Sequence, residues 1–132
     1  MTNAFDLSGR TIIVTGGAGL LGREYGRALV AAGASVVLAD INHASVAAVA
    51  ADLGQPGTAI GVGVDVSEEA SVAELVRTTL ATFGRIDGLV NNAALNPSFV
   101  GDRTTEFDLP FEQYSLDLWN RTLAVNLTGM FL

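Results

Sequence analysis

The sequence predicts an α/β fold in which helices wind both faces of a parallel sheet. Three observations predict it. Short runs rich in valine and isoleucine alternate with helical apolar patterns along the chain. Glycine and proline punctuate the junctions, as at Gly33, Gly54, Pro56, Gly57 and Gly84. The first run, Thr11-Ile12-Ile13-Val14, passes through a glycine-rich turn directly into the first helical pattern. Strands that alternate with helices pair in parallel through right-handed crossovers, because each helix must pack back onto the sheet it left.

Met1 to Arg10 form a lead-in, with Phe5 and Leu7 placed to tuck against the edge of the domain. The first strand ends at Thr15. The helix after the glycine turn sets Leu21, Tyr25, Ala28, Leu29 and Ala32 on one face. Gly33 stops it in a left-handed cap. A second strand, Ser35 to Ala39, ends in Asp40. A second helix starts at Asn42 or His43 and turns Val46, Ala47, Val49, Ala50 and Leu53 inward. A third strand, from about Thr58 to Val66, closes in Asp65-Val66-Ser67. Ser67 is a suitable N-cap, and Glu68 and Glu69 suit the positive end of a helix. Val72, Leu75, Val76, Thr79 and Phe83 are spaced for that helix's buried face, which Gly84 ends.

A fourth strand, Leu89 to Asn92, runs into Ala93-Ala94. After an irregular stretch from Asn96 to Ser115, a last helix begins near Leu116. It carries Trp119, Leu123, Val125, Leu127 and Met130, and the chain stops at Leu132 inside it. The expected strand order is 3-2-1-4, with helices one and two on one face and the later helices on the other. Residues 1–132 then form one domain, incomplete at its C-terminal end.

Composition narrows the function. The 132 residues are 49% hydrophobic and 16% charged, with a mean hydropathy of +0.41. Strands buried on both faces account for part of that apolarity, and a surface covered by something else for the rest. A net charge of −7 and a pI of about 4.4 argue against a nucleic-acid surface, which needs a basic patch. There is no cysteine, so disulfides and thiolate metal sites are excluded. His43, the sole histidine, reads as a solvated residue at a helix start. No apolar run reaches transmembrane length and no signal pattern opens the chain, so no membrane partner is expected and a cytoplasmic location is.

The glycine turn carries the chemistry. Thr15-Gly16-Gly17-Ala18-Gly19-Leu20-Leu21-Gly22 lies between a strand and a helix, the context in which a glycine fingerprint has meaning. Gly16 can adopt the angles of a tight turn. Gly19 has no Cβ, so a pyrophosphate can approach the main chain there. The first N–H groups of the following helix lack partners and lie at the positive end of its dipole, where an anion fits. Gly22 lets the helix sit close to the strand. Asp40 follows about 20 residues later, where a carboxylate accepts hydrogen bonds from both ribose hydroxyls of an adenosine and repels a 2′-phosphate. The pattern is that of a Rossmann-type dinucleotide site that takes NAD rather than NADP.

With these residues in view, the chain resembles the short-chain dehydrogenase/reductase family over essentially its whole length. The likeness rests on the glycine motif, Asp40, Asp65-Val66, the Asn91-Asn92-Ala93-Ala94 run after the fourth strand, and Val125-Asn126-Leu127-Thr128-Gly129. One departure stands out: Leu20 occupies a position where the single-domain branch has glycine, and Gly19 gives the spacing of the extended branch, which includes nucleotide-sugar epimerases.

The resemblance implies pyrophosphate contacts from Gly16, Gly19, Leu20, Leu21 and Gly22, and ribose contacts from Asp40 with Ile41 beside it. It implies that Asp65 and the Val66 main chain meet the adenine. Asn92, Ala93 and Ala94 would lie along the cofactor path, with Asn91 helping to fix the central sheet. Asn126 matches the family's catalytic asparagine, whose main chain bends the helix and positions a water in a proton relay. The implied reaction is hydride transfer between NAD and a small secondary alcohol or ketone, in a homo-oligomer built through the last helix.

The family's tyrosine and lysine, four residues apart, are not here. Tyr25 is followed at that spacing by Leu29 and Tyr114 by Leu118, and all seven basic residues are arginines. This chain therefore reads as the cofactor-binding part of an oxidoreductase, inactive alone. The alternatives are a dinucleotide-binding module that catalyses nothing, an interaction fragment that pairs with another chain, and, on the Gly19 spacing, part of an extended-type nucleotide-sugar epimerase or dehydratase. For Asn96 to Ser115, a substrate-side lid, a subunit contact and a solvated loop all fit.

Overall fold

The computed structural model describes residues 5–54, 57–95 and 109–132. Four strands and four main helices alternate: β1 (Thr11–Thr15), α1 (Leu20–Ala31), β2 (Ser35–Asp40), α2 (His43–Asp52), β3 (Ala59–Gly63), α3 (Glu69–Phe83), β4 (Gly88–Val90) and α4 (Leu116–Leu123). The helical path continues from α4 through a π-helical turn, Ala124–Thr128, into α5 (Gly129–Phe131). All strand pairs are parallel and their order is β3-β2-β1-β4, as expected. Most of the Asn96 to Ser115 stretch, with Phe99 and Phe107, lies outside the described residues, as does Pro56.

Two apolar layers sandwich the sheet. Val14, Val36 and Leu38 point to the α1–α2 side and meet Val46, Val49, Ala50 and Leu53. Ile13, Val37 and Ala39 point to the other side and meet Leu75 of α3, with Val72 and Phe83 packed against them. Successive strand residues face opposite ways, so a continuous apolar run such as Val36-Val37-Leu38-Ala39 serves both layers. Gly33 and Gly84 close α1 and α3 in the left-handed region, at φ of +93° and +75°.

Several details differ from the sequence pattern. Helix α1 meets the sheet through Gly22 and Gly26, while Leu21, Tyr25 and Ala28 are exposed. A Cβ on Gly26 would stand 2.7 Å from Leu53 Cδ1, so the helix sits too close for a larger residue on that face. Ala47 and Val76 turn outward, and Phe5 is exposed while Leu7 alone packs on the core. Strand β3 stops at Gly63 and β4 at Val90, short of Val66 and Asn92. Glu68, not Ser67, is the N-cap of α3. The Ser67 hydroxyl instead donates to Asp65 Oδ1, at 2.6 Å.

Candidate functional site: the cleft at the strand ends

Parallel strands end together, so the segments leaving β1, β2, β3 and β4 converge on one edge of the sheet. The turn leaving β1 is fixed by close approach. Gly16 has φ of +66°, and a Cβ there would lie 2.9 Å from Asn92 Nδ2 and 3.0 Å from Ala93 Cα. Gly17, which the fingerprint spacing passes over, is equally constrained: a Cβ would stand 2.7 Å from Leu38 Cβ. Its N–H donates to the Ala39 carbonyl at 3.0 Å, tying the turn to β2. The doubled glycine was the available signal for this contact.

Gly19 is the N-cap of α1 and offers no side-chain cap. A Cβ on it would meet only the Gly16 carbonyl oxygen, at 3.2 Å, so its outer side is open. The first helical hydrogen bond runs from Arg23 N–H to the Gly19 carbonyl. The N–H groups of Leu20, Leu21 and Gly22 therefore have no acceptor within the helix. Gly22 lies against the turn so closely that a Cβ would collide with the Gly16 carbonyl oxygen. Leu20 and Leu21 are both exposed at this helix start.

Asp40 ends β2. Its Oδ2 accepts the Ala18 N–H at 3.0 Å and its Oδ1 the Asn42 N–H at 3.0 Å. Asp65 follows β3. Its Oδ1 accepts both the N–H and the hydroxyl of Ser67, at 2.9 and 2.6 Å. The Asp65 N–H donates to Ser71 Oγ at 3.0 Å.

The segment leaving β4 is bolted to the turn leaving β1. Thr15 Oγ1 accepts the N–H groups of Asn92 and Ala93, each at 3.0 Å, and donates to the Val90 carbonyl at 3.3 Å. Asn92 Nδ2 donates to the carbonyls of Thr15 and Gly16, at 2.9 and 3.3 Å. Of the asparagine pair it is Asn92 that ties the end of β4 to the central strand by its side chain; Asn91 is exposed. Neither Thr15 nor this bond pattern is visible in the glycine spacing.

Asn126 sits inside the π-helical turn. Its Oδ1 accepts the Leu95 N–H at 2.7 Å and its Nδ2 donates to the Leu95 carbonyl at 3.2 Å. The amide thus completes one residue of main chain beyond β4, as a strand neighbour would. A π turn interrupts the regular i to i+4 ladder and is frequent at functional sites. The close passage of this segment over Val66 needs Gly129, where a Cβ would stand 2.9 Å from Val66 Cγ2.

These segments enclose an open cleft of about 170 Å³. Of the predicted site residues, Gly16, Asp40, Ile41, Asp65, Val66 and the Ala93-Ala94 pair line it. Ala39, Val64, Leu95 and Val125, not predicted, complete its apolar wall. Gly19, Leu20, Leu21 and Gly22 lie on the adjoining turn and helix start, and Asn92 and Asn126 stand behind the wall, holding it. Two carboxylates in an otherwise apolar cleft suit a ligand with an apolar ring and a few hydroxyl or amino donors. Among the described residues no cluster of His, Asp or Glu could hold a metal.

Comparison with known proteins agrees with this fold. The family described as short chain dehydrogenase matches residues 10–132. A 2,5-dichloro-2,5-cyclohexadiene-1,4-diol dehydrogenase of Sphingobium indicum is 42% identical over 96% of this chain and 46% of its own length. A short-chain dehydrogenase/reductase described as glucose/ribitol dehydrogenase, from Brucella melitensis, superposes with a TM-score of 0.84 at 31% identity, over 96% of this chain and 49% of that one. A 3-ketoacyl-(acyl-carrier-protein) reductase from the same organism, solved with NADH, superposes with a TM-score of 0.78 at 31% identity, over 96% of this chain and 47% of that one. The chain thus spans a little under half the length of these three proteins.

Proposed function

This chain belongs to the short-chain dehydrogenase family, and we propose that it is the dinucleotide-holding part of an NAD-dependent alcohol dehydrogenase or ketone reductase. One observation carries the reading: the glycine turn, Asp40 and Asp65 converge at the strand ends around a single cleft. The family binds nicotinamide cofactors, and the residues present fit one. Gly16, Gly19 and the free N–H groups of Leu20, Leu21 and Gly22 would hold the pyrophosphate. Asp40, with Ile41 beside it, would take the adenosine ribose, and Asp65 and the Val66 main chain the adenine. Ala93 and Ala94 would line the path toward the nicotinamide, with Asn92 holding that wall in place.

Bound there, the nicotinamide supplies hydride exchange with the carbon that bears the substrate oxygen. The chain's own contribution is to bind, to orient and to exclude water. Asn126 is the candidate for proton handling, because it matches the family's catalytic asparagine and sits inside a π turn, a feature frequent at functional sites. The substrate is expected to be a small secondary alcohol or ketone, the class to which a cyclohexadiene-diol relative points. The sequence has no lysine, so these 132 residues alone are expected to bind cofactor without turning over substrate.

The last helix supports a homo-oligomer: Trp119 is 54% exposed, and Leu127 and Met130 are also open. No helix among the described residues is long and apolar enough to cross a membrane; the location proposed is cytoplasmic.

Titration calorimetry of the complete protein with NADH and NADPH tests the reading. NADH should bind more tightly, and Asp40→Ala should shrink that preference by about 1–3 kcal/mol, the scale of a lost charge clash. Equal affinity for the two in the unmutated protein would overturn the NAD preference. Binding of neither would overturn the dinucleotide site itself.

A further inference from the structure

Asp40 does more in the folded chain than face the cleft. Both of its carboxylate oxygens are engaged by main-chain donors, and one donor, Ala18, belongs to the glycine turn. Ala18 immediately precedes Gly19, the N-cap of α1. Its carbonyl is held as well: Arg23 Nε donates to it at 2.9 Å from the first turn of α1. Residue 18 is thus gripped at both ends, its N–H by the end of β2 and its C=O by α1. Its neighbours Gly17 and Gly19 have no side chain with which to fix their own conformation, and glycine loses more freedom on ordering than any other residue. An outside brace is what such a turn needs to present its N–H groups in one arrangement.

We propose that Asp40 is a positioning residue for the phosphate-holding turn, so that one carboxylate couples phosphate affinity to the choice between NAD and NADP. The proposal rests on the dinucleotide reading above. It separates two substitutions that ribose contact alone would treat alike. Asp40→Ala removes the charge and the acceptor for Ala18. Asp40→Asn removes the charge and keeps one acceptor oxygen. Ala18 is the donor it should retain, because its bond is partly buried while the Asn42 bond is exposed and water can replace it. Loss of a negative charge near a pyrophosphate favours phosphate binding in both variants. Only loss of the brace opposes it.

The test compares adenosine with ADP on the complete protein by titration calorimetry, in wild type, Asp40→Asn and Asp40→Ala. The quantity read is the tightening from adenosine to ADP, in which the ribose contact cancels. It should be at or above the wild-type value in Asp40→Asn. In Asp40→Ala it should fall about two- to tenfold below Asp40→Asn, the scale of one hydrogen bond to a neutral acceptor. Equal tightening in the two variants overturns the proposal.

Amide hydrogen exchange at Ala18 gives a second reading that needs no ligand. Protection should be present in wild type and Asp40→Asn and lost in Asp40→Ala. Should Asp40→Ala not fold, the other two chains still decide, since an unprotected Ala18 amide in both overturns the brace. A wild type that binds no ADP while Ala18 stays protected removes the dinucleotide reading and leaves the brace standing without its proposed purpose.

Discussion

Strands β2 and β4 both pair with β1, yet they are held in different ways. In β2 the run Val36 to Ala39 is fully buried, at 0% exposure, between α1 and α2 on one face and the α3 layer on the other. In β4 only three residues pair, and Leu89 keeps 56% of its surface open. Strand β2 is stabilised by its two faces. Strand β4 is stabilised by polar fastenings at its ends: Asp87 where it begins, and Thr15 and Asn92 where it leaves. The difference teaches that the cleft at the strand ends has one wall set by apolar packing and another set by hydrogen bonds.

Side-chain truncation is the strongest way to break that comparison. Leu38→Ala should cost about 2–5 kcal/mol, because Leu38 is enclosed and its removal leaves a cavity. Leu89→Ala should cost no more than about 0.5 kcal/mol in a chain limited to these residues, as for other exposed positions. Denaturant midpoints read both, and similar losses would mean that β4 is buried by something other than the described residues. In the complete protein a larger Leu89 loss would measure how much another element covers this strand.

The sequence made the β2 side legible and much of the β4 side not. A run such as Ser35-Val36-Val37-Leu38-Ala39-Asp40 states its own environment: apolar on both faces, then a carboxylate at the strand end. Alternation predicts the parallel pairing and the helical layers, and the strand order follows once the nucleotide-binding pattern is read with it. The inward face of α1 is legible at Leu29, which packs on the core, but not at Gly22 and Gly26, because glycine carries no hydropathy. Gly22 and Gly26 bury the helix by allowing close approach, which leaves Leu21 and Tyr25 outside. Ser67 has the right type for an N-cap, but its hydroxyl turns back to donate to Asp65 and α3 begins one residue later, after Glu68. The role of Asn92 could not be told from that of Asn91, since choosing between adjacent asparagines needs the direction of each side chain. The coupling of Asp40 to Ala18 joins residues from two different connections, and only the fold brings them together.

Helix caps allow a finer comparison, because the two regions carry the same device. Asn42 Oδ1 accepts the Ser45 N–H at the start of α2, and Ser115 Oγ accepts the Leu118 N–H at the start of α4. Each cap is worth about 1 kcal/mol to its helix. Helix α2 buries Val46, Val49 and Ala50, so Asn42→Ala should lower global stability by about that amount. Helix α4 buries only Leu118 among its residues, so Ser115→Ala should appear chiefly as faster amide exchange in its first turn. Equal global losses from the two would show α4 to be as firmly coupled to the core as α2.

The smallest effect expected concerns pH and the entrance to β4. Asp87 Oδ2 accepts the Thr11 N–H at 2.8 Å, and the Asp87 N–H returns a bond to the Thr11 carbonyl at 2.8 Å. Arg85 Nε lies 2.7 Å from Oδ2, and Arg10 Nη1 approaches Oδ1 at 3.6 Å. The Arg85 hydrogen bond, then the Thr11 N–H, pull the carboxyl from its ordinary 3.8 down to about 2, against the opposing pull of desolvation. A depressed carboxyl pKa stabilises the fold above the unfolded value and loses that stabilisation as pH falls toward the folded value. The window is therefore from about pH 4 down to about pH 2. Both arginine side chains are more than half exposed, so water and salt weaken the pairs and keep the effect small. Denaturation curves across this window should show wild type losing more stability on acidification than Asp87→Asn, with the gap narrowing in high salt. Parallel losses in the two chains would mean that the Thr11–Asp87 main-chain bond holds β4 to β1 without help from the charge.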